Sequence, residues 1–343
     1  MKNRFRSLIM VTVLTGVSLF AWAQAGKFVS RPTEKEFKIT GIDNVNYIDV
    51  DSDGMMYVSA QVQAEVQIYR PDGTLELKFG HKEVPGVSLE DDPMGLKPLS
   101  GVSVDKDHNI YVCEGSGSRV RVFNSFGEPL MTIYLTEFLA KIYDENGVRI
   151  YKAGDDIAGK NLPGRKVMGR GMPSDAVVSE NGNIYISDVS ANRILVFDYE
   201  GNFLTSFETI STPDGTGNFK NPSQLEINSK GELFITQPLA NQVLVLDAKG
   251  NYLRYFGKTG NTVGAFQGLS GMDIDDLDRV YCADYVIGAV QVFDDQGNFL
   301  HALTGPGGEQ WKTASIRGIA VDTRRIYLCE QPISSVHVRK FVK

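Results

Sequence analysis

Asp49, Glu226 and Asp273 occur in three short phrases of one form, Ile48-Asp49-Val50, Leu225-Glu226-Ile227 and Met272-Asp273-Ile274, each an acid set between two apolar residues. In an extended strand successive side chains point to opposite faces, so the flanking residues belong to a core and the acid looks the other way. Three carboxylates brought onto one surface would raise one another's pKa unless a cation lay between them. Ligation by oxygen alone suits a hard divalent ion such as calcium, and these three residues are the candidate metal ligands of the chain. Arg317 is the base placed to neutralise them instead.

A second polar set stands at the start of the same strands and their equivalents: Asn46, Ser100, Ser174, Ser223, Ser270 and Arg317. Their hydroxyls and amide can cap loop backbone, and together they can form a polar rim for a ligand. Trp311 joins them, either as a stacking surface or as a plug between neighbouring elements. Lys160, Arg165, Lys166 and Arg170 make a local basic stretch, GKNLPGRKVMGRG, on an acidic chain. It reads as a solvated loop or as a clamp for an anionic ligand or partner.

Other chemistry finds less support. His81, His108, His301 and His337 are scattered, which argues against a zinc site. The chain has no GxSxG elbow and no phosphate-binding glycine loop. Asp49 to Gly54, DVDSDG, imitates the start of an EF-hand, but position 12 of that loop is Ala60 where a bidentate Glu is needed. The segment is therefore read as a strand and turn. Cys113, Cys282 and Cys329 are odd in number, lie in strand-like runs and read as free, buried thiols.

The elements that position these residues follow from an internal repeat. Aromatic residues at Tyr57, Tyr111, Tyr185, Phe234, Tyr281 and Tyr327 anchor six units. From the first five anchors, a step of 16 residues lands on Gly73, Gly127, Gly201, Gly250 and Gly297, and a step of 22 on Phe79, Ile133, Phe207, Phe256 and Leu303. Before each anchor lies an earlier strand, IDVD, VSVD, AVVS, LEIN, MDID or IAVD. Four short strands per unit at a period near 45 residues predict propeller blades, an all-β architecture. The alternation assigns Asp49, Ser103, Val177, Glu226, Asp273 and Ala320 to a central channel. The last unit has only three strands, and Lys35 to Thr40 alternates charged and apolar residues as a strand that could complete it. The prediction is a six-bladed β-propeller of four-stranded antiparallel blades, closed by an N-terminal strand.

The phrases GNIYISDVSANRILVFDYEGNFLTSF and GELFITQPLANQVLVLDAKGNYLRYFG resemble NHL repeats, and from about Glu34 onward the chain resembles an exported bacterial NHL-type propeller. The resemblance implies a top face built from the loops between blades and between the second and third strands. Blades one and six depart from the pattern, with Ala60 in place of an acid after the second strand and Arg339 in place of an aromatic. In blade number and in channel acids the chain also resembles metal-assisted lactonases.

Lys2, Arg4 and Arg6 precede an apolar run from Leu8 to Phe20 that ends in Ala21-Trp22-Ala23, a secretory signal peptide over residues 1–23. The expected product is a periplasmic or secreted single domain, residues 24–343, with insertions at 80–99 and 134–173 and no membrane span. Loss of the leader moves the formal charge from −7 to −10, which argues against nucleic acid. The leading expectation is a monomeric, non-enzymatic binding or scaffold module that presents its top face to a protein, peptide or glycan. The alternative is a metal-assisted hydrolase or lyase with a divalent cation in the channel.

Overall fold

A computed structural model describes residues 30–135, 161–162, 165–166, 171–212, 217–304, 315–331 and 335–341. The proposed signal peptide, most of the 134–173 insertion, Arg170 and Trp311 lie outside the described residues. Six sets of antiparallel strands form a ring of blades. Each anchor aromatic sits in a second strand, such as Met56–Ala60, Ile110–Glu114 or Val280–Asp284, whose five residues are all buried. These strands are covered by neighbouring blades on both faces, so their apolar residues run on rather than alternate. Outer strands such as Leu75–Phe79 lie at the rim and are largely exposed.

The core is six separate clusters, one in each gap between consecutive blades. The repeated glycines explain how closely the blades approach. Gly250 has a φ of +82°, and a Cβ there would fall 2.5 Å from the ring of Phe207, the step-22 aromatic of the preceding blade. The two intervals in the sequence are thus one joint, a glycine of one blade seated on the outer strand of the blade before it.

The ring closes through the N-terminal strand, Ser30–Thr40. Thr33 pairs with Phe341 and Thr40 with Ser335, antiparallel, which supplies the fourth strand of blade six. Its first residues, Ser30 to Pro32, run parallel to Ala302 to Thr304 of blade five, a contact the alternation did not suggest. Arg339 reaches the closing strand, donating to Thr33 Oγ1 at 2.8 Å and to the Thr33 carbonyl at 3.1 Å. Its departure from the repeat therefore belongs to the splice.

Two further expectations resolve locally. Asp51 accepts the amides of Asp53 (3.0 Å) and Met55 (2.9 Å) and the hydroxyl of Tyr57 (2.8 Å), so DVDSDG is a side-chain-capped turn. Asp105 with Tyr111 and Asp275 with Tyr281 repeat the arrangement. The 80–99 insertion is anchored to blade two: Arg121 donates to the carbonyls of Pro93 and Gly95, and the Lys97 amide donates to Glu114.

Candidate functional site

The innermost strands bring side chains to the channel at two levels. One level holds the residues read from the alternation, Asp49, Ser103, Val177, Glu226 and Asp273 among them. The second level, two positions earlier, contains Tyr47, Asp175 and Gln224, which the sequence reading passed over. Channel space falls into two chambers. The lower holds about 390 Å³ and is lined by eight acids, including Asp49, Asp175, Glu226 and Asp273, against one base, Lys106. The upper holds about 360 Å³. Tyr47 lines both. Its hydroxyl bonds with Ser174 Oγ (3.1 Å), which bonds in turn with Ser223 Oγ (3.1 Å), a polar belt between the chambers.

The acids tie one blade to the next. Asp49 accepts the Val50 amide on one oxygen and the Val104 amide of blade two on the other, both at 2.7 Å. Asp273 does the same with Ile274 (2.6 Å) and Val321 of blade six (2.5 Å). Asp175 spans from Ala176 (2.9 Å) to Leu225 of blade four (3.0 Å). Gln224 takes the Met272 amide of blade five, and Ser103 donates to the Ala176 carbonyl of blade three. Between blades six and one, the Gln331 amide donates to Val45 O at 2.8 Å. Each gap in the ring is therefore bridged near the axis by a polar side chain. Four of these bridges accept a backbone amide and two donate to a backbone carbonyl, at the place where strands of adjacent blades are not themselves paired.

Glu226 is different. It has no hydrogen-bond partner among the described residues, and its carboxyl is held well above the usual range by burial and then by the charges of Asp273, Asp49 and Asp175. Burial likewise raises Asp49 to about 6, Asp175 to about 8 and Asp273 well above its ordinary value. Asp49, Glu226 and Asp273 thus share a chamber and sense one another. They do not converge: among the described residues no group of three or more His, Cys, Asp or Glu is arranged to hold a metal ion.

The upper chamber collects five of the six residues expected at the rim, Asn46, Ser100, Ser223, Ser270 and Arg317, and adds Gln61 and Tyr285. Several hydroxyls cap backbone. Ser100 donates to the Pro173 carbonyl at 2.6 Å and Ser270 to the Ile316 carbonyl at 2.8 Å. Asn46 donates to Gln61 Oε1 at 2.9 Å. Arg317 does not neutralise the acids below. Its guanidinium is exposed and stacks on the Tyr285 ring, 4.5 Å from the centroid. Of the basic stretch, Arg165 and Lys166 form a short ladder with Asn161 and Leu162, apart from any blade sheet.

No protein-family model matches the chain, and no curated protein sequence matches it. Solved structures do resemble it. A catalytically inactive virginiamycin B lyase from Staphylococcus aureus with quinupristin is 13% identical with a TM-score of 0.56, covering 90% of this chain and 99% of that one. A streptogramin B lyase is 12% identical with a TM-score of 0.57, covering 94% and 99%. A gluconolactonase from Xanthomonas campestris is 13% identical with a TM-score of 0.57, covering 92% and 98%. At such identities the likeness is one of fold. The chain is a six-bladed β-propeller whose structural neighbours include lyases and a lactonase.

Proposed function

We propose that the protein is an exported, NHL-like propeller that binds a glycan, peptide or protein group at its upper mouth and carries out no chemistry there. One observation carries this reading. The described residues lining the mouth offer amides, hydroxyls, aromatic rings and one guanidinium, and among them there is no carboxylate, imidazole or thiol to serve as a general base or nucleophile. The chamber beneath it is rich in acids, yet Asp49, Asp175 and Asp273 spend their oxygens on backbone amides. The test is binding of the mature protein to glycan and peptide arrays, repeated with Asn46→Trp to fill the mouth. Binding that the substitution abolishes, at unchanged melting temperature, supports the reading; no binding on either array sinks it.

A metal-assisted hydrolase or lyase is the second reading, and Glu226 is the observation in its favour. An acid with no hydrogen bond, facing Asp273 and Asp49, is the side chain most free to take up a cation. Lactonase and lyase activities belong to the structural neighbours and carry to this chain only as an alternative.

A further inference from the structure

Charge is divided along the channel. The lower chamber is lined by acids, whereas among the described residues the charged side chain lining the upper chamber is Arg317. Arginines elsewhere in the ring hold carboxylates: Arg119 those of Glu114 and Glu83, Arg254 that of Glu232, Arg279 that of Asp275 and Arg325 that of Glu36. Arg317 has no carboxylate partner among the described residues. It is not loose, because stacking on Tyr285 fixes the plane of the guanidinium. A stacked guanidinium keeps its N–H edges free, and that fork matches a carboxylate in a bidentate manner.

The rest of the lining narrows the ligand further. Gln61 accepts from Asn46 through its oxygen, which leaves its amide group to donate into the chamber. Ser100 and Ser270 give their protons to backbone carbonyls and so offer acceptor lone pairs. Such neutral donors and acceptors around a volume of about 360 Å³ suit a small polyhydroxylated molecule more than an apolar one. Among the described residues that line the mouth, Arg317 is the group able to meet the charge of an anionic ligand.

Building on the binding function proposed above, we infer that the upper mouth recognises an acidic sugar, a uronate whose carboxylate pairs with Arg317 and whose hydroxyls meet Asn46, Gln61 and the serine rim. The experiment is calorimetric titration of the mature protein with digalacturonate and with galactobiose, which differ in carboxylate against hydroxymethyl. Wild type should bind digalacturonate at least about tenfold more tightly, the least expected of a charge-assisted bidentate pair. Arg317→Gln should bring the two to parity with an unchanged melting curve, and Arg317→Lys should recover only part of the preference. Equal binding of the two sugars by wild type would overturn the inference while leaving a glycan-binding mouth in place. No binding of either sugar would overturn it too, and the peptide array would then decide whether the broader binding function survives.

Discussion

Phe37 lies against Gly73. A Cβ on that glycine, whose φ is +86°, would stand 2.8 Å from the phenyl ring. Phe37 comes from the N-terminal strand, yet it occupies the place that Phe79 takes against Gly127 and Phe256 against Gly297. The closing strand thus supplies both hydrogen bonds and the missing aromatic of blade six. Phe37→Ala should cost roughly 2–3 kcal/mol, below the ~3–5 kcal/mol of a fully buried phenylalanine because this ring is only partly buried. Denaturant unfolding measures it, and a change below about 0.5 kcal/mol would show the splice to be weak.

Deletion of residues 24–41 removes every pairing of that strand and bares the third strand of blade six. An unpaired edge of this kind templates association between chains. The truncated protein should aggregate or melt far lower than the mature one; an unchanged melting temperature would contradict the closure.

Cys113, Cys282 and Cys329 are free and buried, and burial raises all three thiols. Cys282 packs in the gap between blades four and five and Cys329 in that between six and one, so they do not meet. A thiol reagent should find three groups in denaturant without reductant and almost none in the native protein. A count of one in denaturant would reveal a disulfide.

The raised channel acids set a pH dependence. Asp49 and Asp175 titrate at about 6 and about 8 when folded, against roughly 3.9 in an unfolded chain. Between those values the folded state holds the extra protons. Their contribution to stability is complete below about pH 4 and is lost as pH rises to about 8, with a slope of up to about 1.4 kcal/mol per unit for each proton. Asp175→Asn should flatten this decline, seen as a smaller difference between melts at pH 5 and pH 8. Parallel pH profiles for the two proteins would rule Asp175 out as a source.

Calcium separates the two functional readings. A cation held only by the folded form adds about 2.7 kcal/mol at 100 times its dissociation constant. If the mouth binds and the lower chamber is structural, melting curves in millimolar calcium and in chelator should coincide. A calcium-dependent rise that Glu226→Gln removes would favour the metal-assisted alternative instead.

The blades were legible because a strand buried on both faces leaves long apolar runs, and because the Gly250 joint needs the same residue at every turn of the ring. The rim was legible for the same reason: Asn46, Ser223, Ser270 and Arg317 occupy one register and do meet at the upper mouth. The roles of the acids were not legible. Asp49 and Asp273 read as candidate metal ligands, since nothing in a single strand shows that the amide of Val104 or Val321 from the next blade reaches them. Asp175 is hidden in the sequence because a register shift between Pro173 and Ala176 blurs the alternation there. The register aligns Arg317 with the channel acids, but the Tyr47 belt separates it from them.

The splice also fixes the order in which the molecule can be finished. Thr33 and Arg339, hydrogen-bonded in the ring, are 306 residues apart in the chain. During synthesis the closing strand emerges before any blade, and its partner only after the other blades. Blades one to five can assemble from local hairpins meanwhile, but ring closure is a single long-range event, the kind that slows folding. Until it occurs, the waiting strand stays soluble through Lys35, Glu36 and Lys38, and the open sixth blade is the aggregation-prone face of the intermediate. A nascent chain stalled short of residue 335 would hold that state indefinitely, so loss of the last few residues should be as damaging as loss of the first.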